Sequence, residues 1–178
     1  MITMIQSLDN TILIALFNIR TIPWSHAFIW VTEMGSMTTI LGFFAIVVLL
    51  LSLKKCWHTI VGLTFAVFGS GIVAYILKVV VHRARPDVAY RAYVESGYSF
   101  PSGHATLSAA FYFFIAYLIA KEVPPGKWRY DVWLAAFIFV GLIGFSRLYL
   151  GVHFASDVIA GYAIGGLFAW IGVKIAER

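Results

Sequence analysis

Three short segments of the chain carry the residues that could do chemistry. Lys78–Pro86 reads K-x6-R-P, Pro101–His104 reads P-S-G-H, and Ser146–Asp157 reads S-R-x5-H-x3-D. A lysine ammonium is a mobile point charge, and an arginine guanidinium is a planar fork that matches phosphate oxygens. Lys78, Arg85 and Arg147 therefore read as the cations of an anion clamp. Lys78 and Arg85 are seven residues apart, about two helical turns, which puts both on one face if the helix continues. Pro86 closes that segment. Arg83 and Arg91 read as interfacial cations or as contacts to a substrate head group.

The second segment marks a helix start, because Pro101 and Ser102 precede an apolar run. The free N–H groups at such a start attract anions. Gly103 lets a ligand approach the backbone, Ser102 offers a hydroxyl, and His104 sits on the first turn as a candidate acid. In the third segment Ser146 and Arg147 end one apolar run. His153 and Asp157 follow, four residues apart, and so share one helix face. A carboxylate on one ring nitrogen fixes the tautomer and stabilises the imidazolium, which leaves the other nitrogen of His153 free to attack.

The elements that must position these residues are membrane helices. Hydrophobic residues make up 61% of the 178 and charged residues 12%, against about 25% charged in a soluble domain. Five stretches approach the ~20 apolar residues that a span needs: Ser36–Leu53, Trp57–Val81, Ser102–Ala120, Val132–Phe145 and Phe154–Ile175. Backbone groups in lipid must be satisfied internally, so each is a helix. Trp57, Tyr98, Tyr117, Trp128, Tyr130, Trp133, Tyr149 and Trp170 fall near their ends, as in interfacial aromatic belts. The expected fold is all-α: one polytopic membrane bundle over 1–178, with a catalytic core over 36–178 and an N-terminal segment over 1–34.

That N-terminal segment reads as interfacial. Met1–Asn10 has neither a basic start nor a small-residue cleavage site, unlike a secretory signal. Thr11–Ile19 is short and is followed by Arg20, and Trp24–Thr32 follows Pro23. One or two helices lying in the interface are expected, with a sixth, distorted span as the alternative. The single cysteine, Cys56, excludes an internal disulfide.

Span-connecting segments alternate sides. One side receives Lys54, Lys55, Lys121, Lys127, Arg129, Lys174 and Arg178; the other receives Arg20, Lys78, Arg83, Arg85, Arg91 and Arg147. Setting aside Lys78, Arg85 and Arg147, which chemistry explains, the count is seven against three. The positive-inside rule then places the motifs on the extracytoplasmic side of the membrane. The net charge of +5 forms no aromatic-interleaved stripe, which excludes nucleic acid as a partner. Anionic lipid and the bilayer are the expected partners.

In this order and with these apolar intervals, the three segments resemble the signature motifs of the type 2 phosphatidic acid phosphatase (PAP2) superfamily. The chain is similar to its small bacterial members that act on phosphatidylglycerophosphate or undecaprenyl pyrophosphate. The resemblance implies a metal-independent hydrolase without cofactors that cleaves a terminal phosphate from a membrane lipid. Its nucleophile is His153, oriented by Asp157, and a phosphohistidine forms. His104 protonates the leaving oxygen. Lys78, Arg85, Ser102, Gly103 and Arg147 hold the phosphoryl oxygens, with Pro86, Pro101 and Ser146 in support. A vanadate-type haloperoxidase shares this plan but is large and soluble. An anion channel or phosphate transporter without hydrolysis is the alternative, although its charges would run through the depth of the bundle. Phosphatidylglycerophosphate, phosphatidic acid, undecaprenyl pyrophosphate and a lipid A phosphate are not distinguished. The loop Asp87–Ser99, with Tyr90, Tyr93 and Tyr98, is expected to shape the head-group pocket or to anchor in the interface.

Overall fold

The computed structural model describes residues 2–178; Met1 lies outside them. Its helices are α1 (Ile2–Asn18), α2 (Ile22–Glu33), α3 (Met37–Leu53), α4 (Trp57–Thr64), α5 (Ser70–Val81), α6 (Gly103–Glu122), α7 (Lys127–Tyr149) and α8 (Ala155–Ala176). A π-helical turn, Phe65–Gly69, joins α4 to α5, so Trp57–Val81 runs as one 25-residue element.

Local chemistry sets the boundaries. Ser36 caps α3, its Oγ accepting from the Thr39 N–H at 3.2 Å. Ser102 caps α6 in the same way through Ala105, since a hydroxyl there satisfies an orphan backbone donor. The Pro124-Pro125-Gly126 turn precedes α7, with Gly126 at φ 107, a conformation open to glycine. The sequence places the fourth span at Val132–Phe145, whereas α7 runs a full turn further at each end. Its polar ends, Lys127–Asp131 and Ser146–Tyr149, continue the helix beyond the apolar window.

α6 is the central helix. It packs against α7 and α8 and is flanked by α3 and α5. Ile40, Leu63, Val67, Phe111 and Phe114 form a buried cluster around it. Close approach of α8 to α6 depends on small residues, as in membrane helix pairs generally. A Cβ on Gly161 would stand 2.9 Å from both the Ser102 carbonyl and the Ala105 methyl. The outer faces are apolar and exposed, with Leu49, Val61, Ile72, Phe137, Ile159 and Leu167 among them.

Four helical elements are long and apolar enough to cross a membrane: Trp57–Val81, α6, α7 and α8. The first expected span, Ser36–Leu53, is the shorter helix α3. It meets α2 at a bend of 40°, and the pair taken as one broken span makes a fifth. α2 packs against α7, so this part of the N-terminal segment is built into the bundle. The turn between α2 and α3 is tied to α6 by a 2.6 Å hydrogen bond from the Tyr112 hydroxyl to the Met34 carbonyl.

Candidate active site

All three motifs meet at one end of the bundle, where α5, α7 and the turn before α8 converge on the start of α6. The basic pairs Lys54–Lys55 and Lys127–Arg129 lie at the opposite helix ends. Lys78 and Arg85 do not share a helix face as their spacing suggests. α5 stops at Val81, and His82 adopts a left-handed conformation (φ 51) whose N–H returns to the Lys78 carbonyl. This αL stop turns the chain back across the bundle end. Arg85 reaches the site from the irregular segment that follows α5.

His153 is buried in the turn between α7 and α8. Its Nδ1 faces Asp157 Oδ2 at 3.5 Å, and its Nε2 lies 3.0 Å from Arg85 Nη1. A guanidinium only donates hydrogen bonds. Nε2 must therefore carry the lone pair, and Nδ1 the proton that points toward Asp157. Burial lowers the His153 pKa to about 4; Asp157 opposes the shift, while Arg147 and Arg85 add to it. The imidazole is neutral and its outer nitrogen unprotonated at neutral pH.

Asp157 is fully buried and fully engaged. Oδ2 accepts the Ser99 hydroxyl and the Phe154 N–H at 2.9 Å. Oδ1 accepts Arg83 Nη1 at 2.6 Å. Arg83 in turn pairs with Asp9 of α1 at 2.7 Å and lies over the Phe154 ring. The reading of Arg83 as an interfacial cation or head-group contact is thus corrected: it faces inward and grips the carboxylate behind His153.

Arg147 is completely buried. It donates to Thr32 Oγ1 at 2.9 Å, to the Tyr93 hydroxyl and to Glu95 Oε2 at 2.5 Å. Glu95 also faces Arg85, its Oε1 3.6 Å from Nη2. One carboxylate therefore lies between the two motif guanidiniums. Burial alone would raise the Glu95 pKa, but Arg147 above all, with Arg85, holds it down to about 2. Burial pushes the Tyr93 hydroxyl up to about 12, so it remains a donor. The loop that carries both is pinned to the α7–α8 turn by the Ala92 N–H on the Leu150 carbonyl at 2.9 Å.

The remaining motif residues surround this centre. Lys78 Nζ donates to the Tyr98 carbonyl at 2.8 Å. Ser102 is buried at the α6 cap, and its N–H donates to the Asp157 carbonyl at 3.1 Å, which ties the second motif to the third. His104 sits on the first turn of α6, directly after Gly103. Gly103 borders open space. Pro86 and Pro101 are fully buried and fix the two loop ends. Ser146 is turned away, its hydroxyl donating to the Ile143 carbonyl one turn back in α7. Among the described residues, no group of three His, Cys, Asp or Glu side chains could hold a metal ion.

Asp9, Arg83, Glu95 and Ser99 escaped the motif reading. A signal existed for Asp9, an acid inside an apolar helix, which is costly without a partner. Glu95 offered none, because loop acids are usually solvated.

Beside the centre, an apolar groove of about 390 Å³ opens between α3, α5 and α6. Met37, Ile40, Phe68, Ile72 and Leu107 line it, and Lys78 and Gly103 stand at its edge.

The chain and its fold have counterparts among known proteins. The family profile described as the PAP2 superfamily matches residues 57–178. Phosphatidylglycerophosphatase B of Bacillus subtilis is 34% identical over 178 residues, covering 98% of this chain and 86% of that protein. Lipid A 1-phosphatase of Rhizobium etli is 39% identical over 119 residues; the match covers 61% of this chain and 47% of that protein. The crystal structure of a transmembrane PAP2 type phosphatidylglycerolphosphate phosphatase from Bacillus subtilis superposes with a TM-score of 0.88 at 31% identity, over 97% of this chain and 86% of that one.

Proposed function

The chain belongs to the PAP2 superfamily and is an integral membrane hydrolase of phosphate esters; from that premise we propose that it removes a terminal phosphate from a membrane lipid through a phosphohistidine. The observation that carries this reading is the state of His153. Its Nε2 carries the lone pair and faces the Arg85 guanidinium, while its Nδ1 proton faces a buried carboxylate.

In the first step the Nε2 lone pair attacks phosphorus and the bond from phosphorus to the lipid oxygen breaks. His104 gives its proton to that leaving oxygen. The positive charge that develops on His153 is shared with Asp157 through Nδ1–H. Arg85, Arg147, Lys78 and the N–H groups at the start of α6 hold the three phosphoryl oxygens, a preorganised field that strengthens as charge builds. In the second step His104 takes a proton from water, the water oxygen attacks phosphorus, and the Nε2–phosphorus bond breaks to release inorganic phosphate. Splitting one displacement into two is the gain from a covalent nucleophile.

The apolar groove supports a lipid substrate. Its apolar walls end at Lys78 and Gly103, which suits an acyl or prenyl chain in the membrane with its phosphate at the site. Phosphatidylglycerophosphate and undecaprenyl pyrophosphate are the leading candidates, the first because of the full-length likeness to the Bacillus protein. The seven-to-three distribution of basic residues outside the motifs supports an extracytoplasmic site in the inner membrane, where a prenyl diphosphate carrier is recycled.

The test is phosphate release in detergent with EDTA from these two lipids side by side, with His153→Ala as control. Release that survives EDTA and vanishes in His153→Ala is expected, and the ratio of rates ranks the lipids. Full activity in His153→Ala would overturn the mechanism. Absence of release from either lipid by the folded protein would favour an anion-conducting role.

A further inference from the structure

Asp9 is a buried acid on the first helix, outside all three motifs and outside the residues matched by the family profile. It is 3% exposed and has three polar partners. Its Oδ2 accepts Arg83 Nη2 at 2.7 Å and the Ser156 hydroxyl at 2.5 Å. Its Oδ1 accepts the Ser156 N–H at 2.9 Å. Arg83 bridges onward, its Nη1 donating at 2.6 Å both to Ser156 Oγ and to Asp157 Oδ1. A continuous charge chain therefore runs from Asp9 through Arg83 and Asp157 to His153.

An ion pair that served only to fasten α1 could bind anywhere along α8. This one ends on the carboxylate oxygen opposite the one that faces His153. A carboxylate held on both oxygens cannot rotate, so Arg83 fixes the direction in which Oδ2 meets the imidazole. The charge on Asp9 matters as well. Without it the guanidinium would draw more strongly on Asp157 and weaken its hold on the Nδ1 proton. Met4, Ile5, Leu8 and Ile12 of α1 are exposed, apolar side chains suited to lipid. The helix thus meets the bilayer while sending one acid into the site.

We infer that Asp9 and Arg83 are positioning residues for the reaction: together they orient and balance the carboxylate that supports the nucleophile, which makes α1 a working part of the catalytic centre. The inference rests on the phosphohistidine reading above for its kinetic consequence, but not for the coupling itself. The charged, titratable and polar groups facing His153 are Asp157 of α8, Arg85, Arg147 of α7, His104 of α6 and the Ser99 hydroxyl. None of these is altered by substitution at position 9 or 83.

The experiment compares wild type with Asp9→Asn, Asp9→Glu and Arg83→Gln in detergent, with two readouts. The first is the titration of His153 by NMR of protein labelled with 15N-histidine, assigned by its loss in His153→Asn. Removing the Asp9 charge should move the midpoint to lower pH, and removing the Arg83 charge should move it to higher pH. The second is steady-state phosphate release from a phosphorylated lipid. A kcat loss of about 10- to 100-fold is expected for Asp9→Asn and Arg83→Gln, the scale of a displaced reacting group. KM should change by less than about threefold, and Asp9→Glu should recover part of kcat.

A midpoint that stays put in both variants, or moves the same way in both, overturns the inference. So does a lowered melting temperature with kcat per folded enzyme unchanged, which would assign Asp9 to fold stability alone. If the wild type releases no phosphate, the functional reading falls, and the opposed midpoint shifts still decide whether the coupling exists.

Discussion

Arg85 Nη1 lies 3.0 Å from His153 Nε2, so the cation proposed to bind phosphate and the atom proposed to attack it are in direct contact. The contact does two things. It selects the tautomer that leaves Nε2 with its lone pair, and in the proposed reaction it supplies a donor beside the phosphoryl group.

Substitution of Arg85 should therefore damage the chemical step more than binding. Removing one preorganised donor to a developing oxyanion costs on the order of 10²–10³ in kcat. Arg85→Ala is expected to fall in that range. Arg85→Lys keeps the charge but cannot hold His153, the Val152 carbonyl and the Ser96 carbonyl together as the fork does. It should recover less than a tenth of the loss, on the scale of that single donor. Equal kcat in Arg85→Lys and wild type would show that only charge matters here.

Glu95 predicts a trade between stability and anion binding. Its carboxylate lies between Arg147 and Arg85, the two guanidiniums that the proposed reaction assigns to phosphate. In Glu95→Gln the fully buried Arg147 loses its countercharge, at a cost of about 1–3 kcal/mol. The melting temperature should fall in phosphate-free buffer, and added inorganic phosphate should raise it by more than it raises that of wild type. An equal phosphate effect in both proteins would count against this shared position.

The same ion pair sets a pH window. The Glu95 pKa is lowered from 4.5 to about 2, so the folded state binds its proton later than the unfolded chain does. The stability it contributes is present above pH 4.5, declines as the pH falls below that value, and is gone below about 2. Melting temperatures followed from pH 6 to pH 3 should fall less steeply in Glu95→Gln than in wild type. Parallel curves would show that Arg147 does not hold the carboxylate.

The motif residues and their common end of the bundle were legible in the sequence because each lies where an apolar run begins or stops. Polar residues at such junctions have few other reasons to be there. What remained hidden were contacts between segments far apart in the chain. Asp9 and Asp157 meet on Arg83 across 148 residues, and no local period announces that. The Lys78–Arg85 spacing misled for a local reason: the helix it presumes ends at a left-handed His82, a conformation unusual for a residue with a Cβ. The bend between α2 and α3 was equally hidden, since Gly35 and Ser36 read as a plain span boundary.

Packing of α8 on α6 yields a stability prediction with a functional readout. Gly161 leaves no room for a side chain against Ser102 and Ala105, and the Ser102 N–H is bonded to the Asp157 carbonyl. Gly161→Val should destabilise the fold by about 1–3 kcal/mol, the usual cost of overpacking. It should also lower activity in the folded fraction, because the shift falls on the joint between the second and third motifs. Gly166, with open space around it, is the control; Gly166→Ala should leave both unchanged.

The apolar groove separates binding of the lipid chain from chemistry at the phosphate. Gly71 lines it, and a Cβ there would stand 3.6 Å from Leu107 Cδ2, which is ordinary contact. An indole at position 71 would extend into the groove rather than into the core. Gly71→Trp should therefore exclude a long acyl or prenyl chain while leaving Arg85, Arg147 and His153 in place. Losing a few buried methylenes at about 0.8 kcal/mol each corresponds to a rise in KM of roughly tenfold or more for a long-chain lipid phosphate. A short-chain, water-soluble phosphate ester never fills the groove, so its kcat/KM should be unchanged. If both substrates suffer alike, the substitution has disturbed the site itself. If neither does, the chain enters elsewhere, and the position of Lys78 at the groove edge reflects its own need for a polar exit from the bilayer.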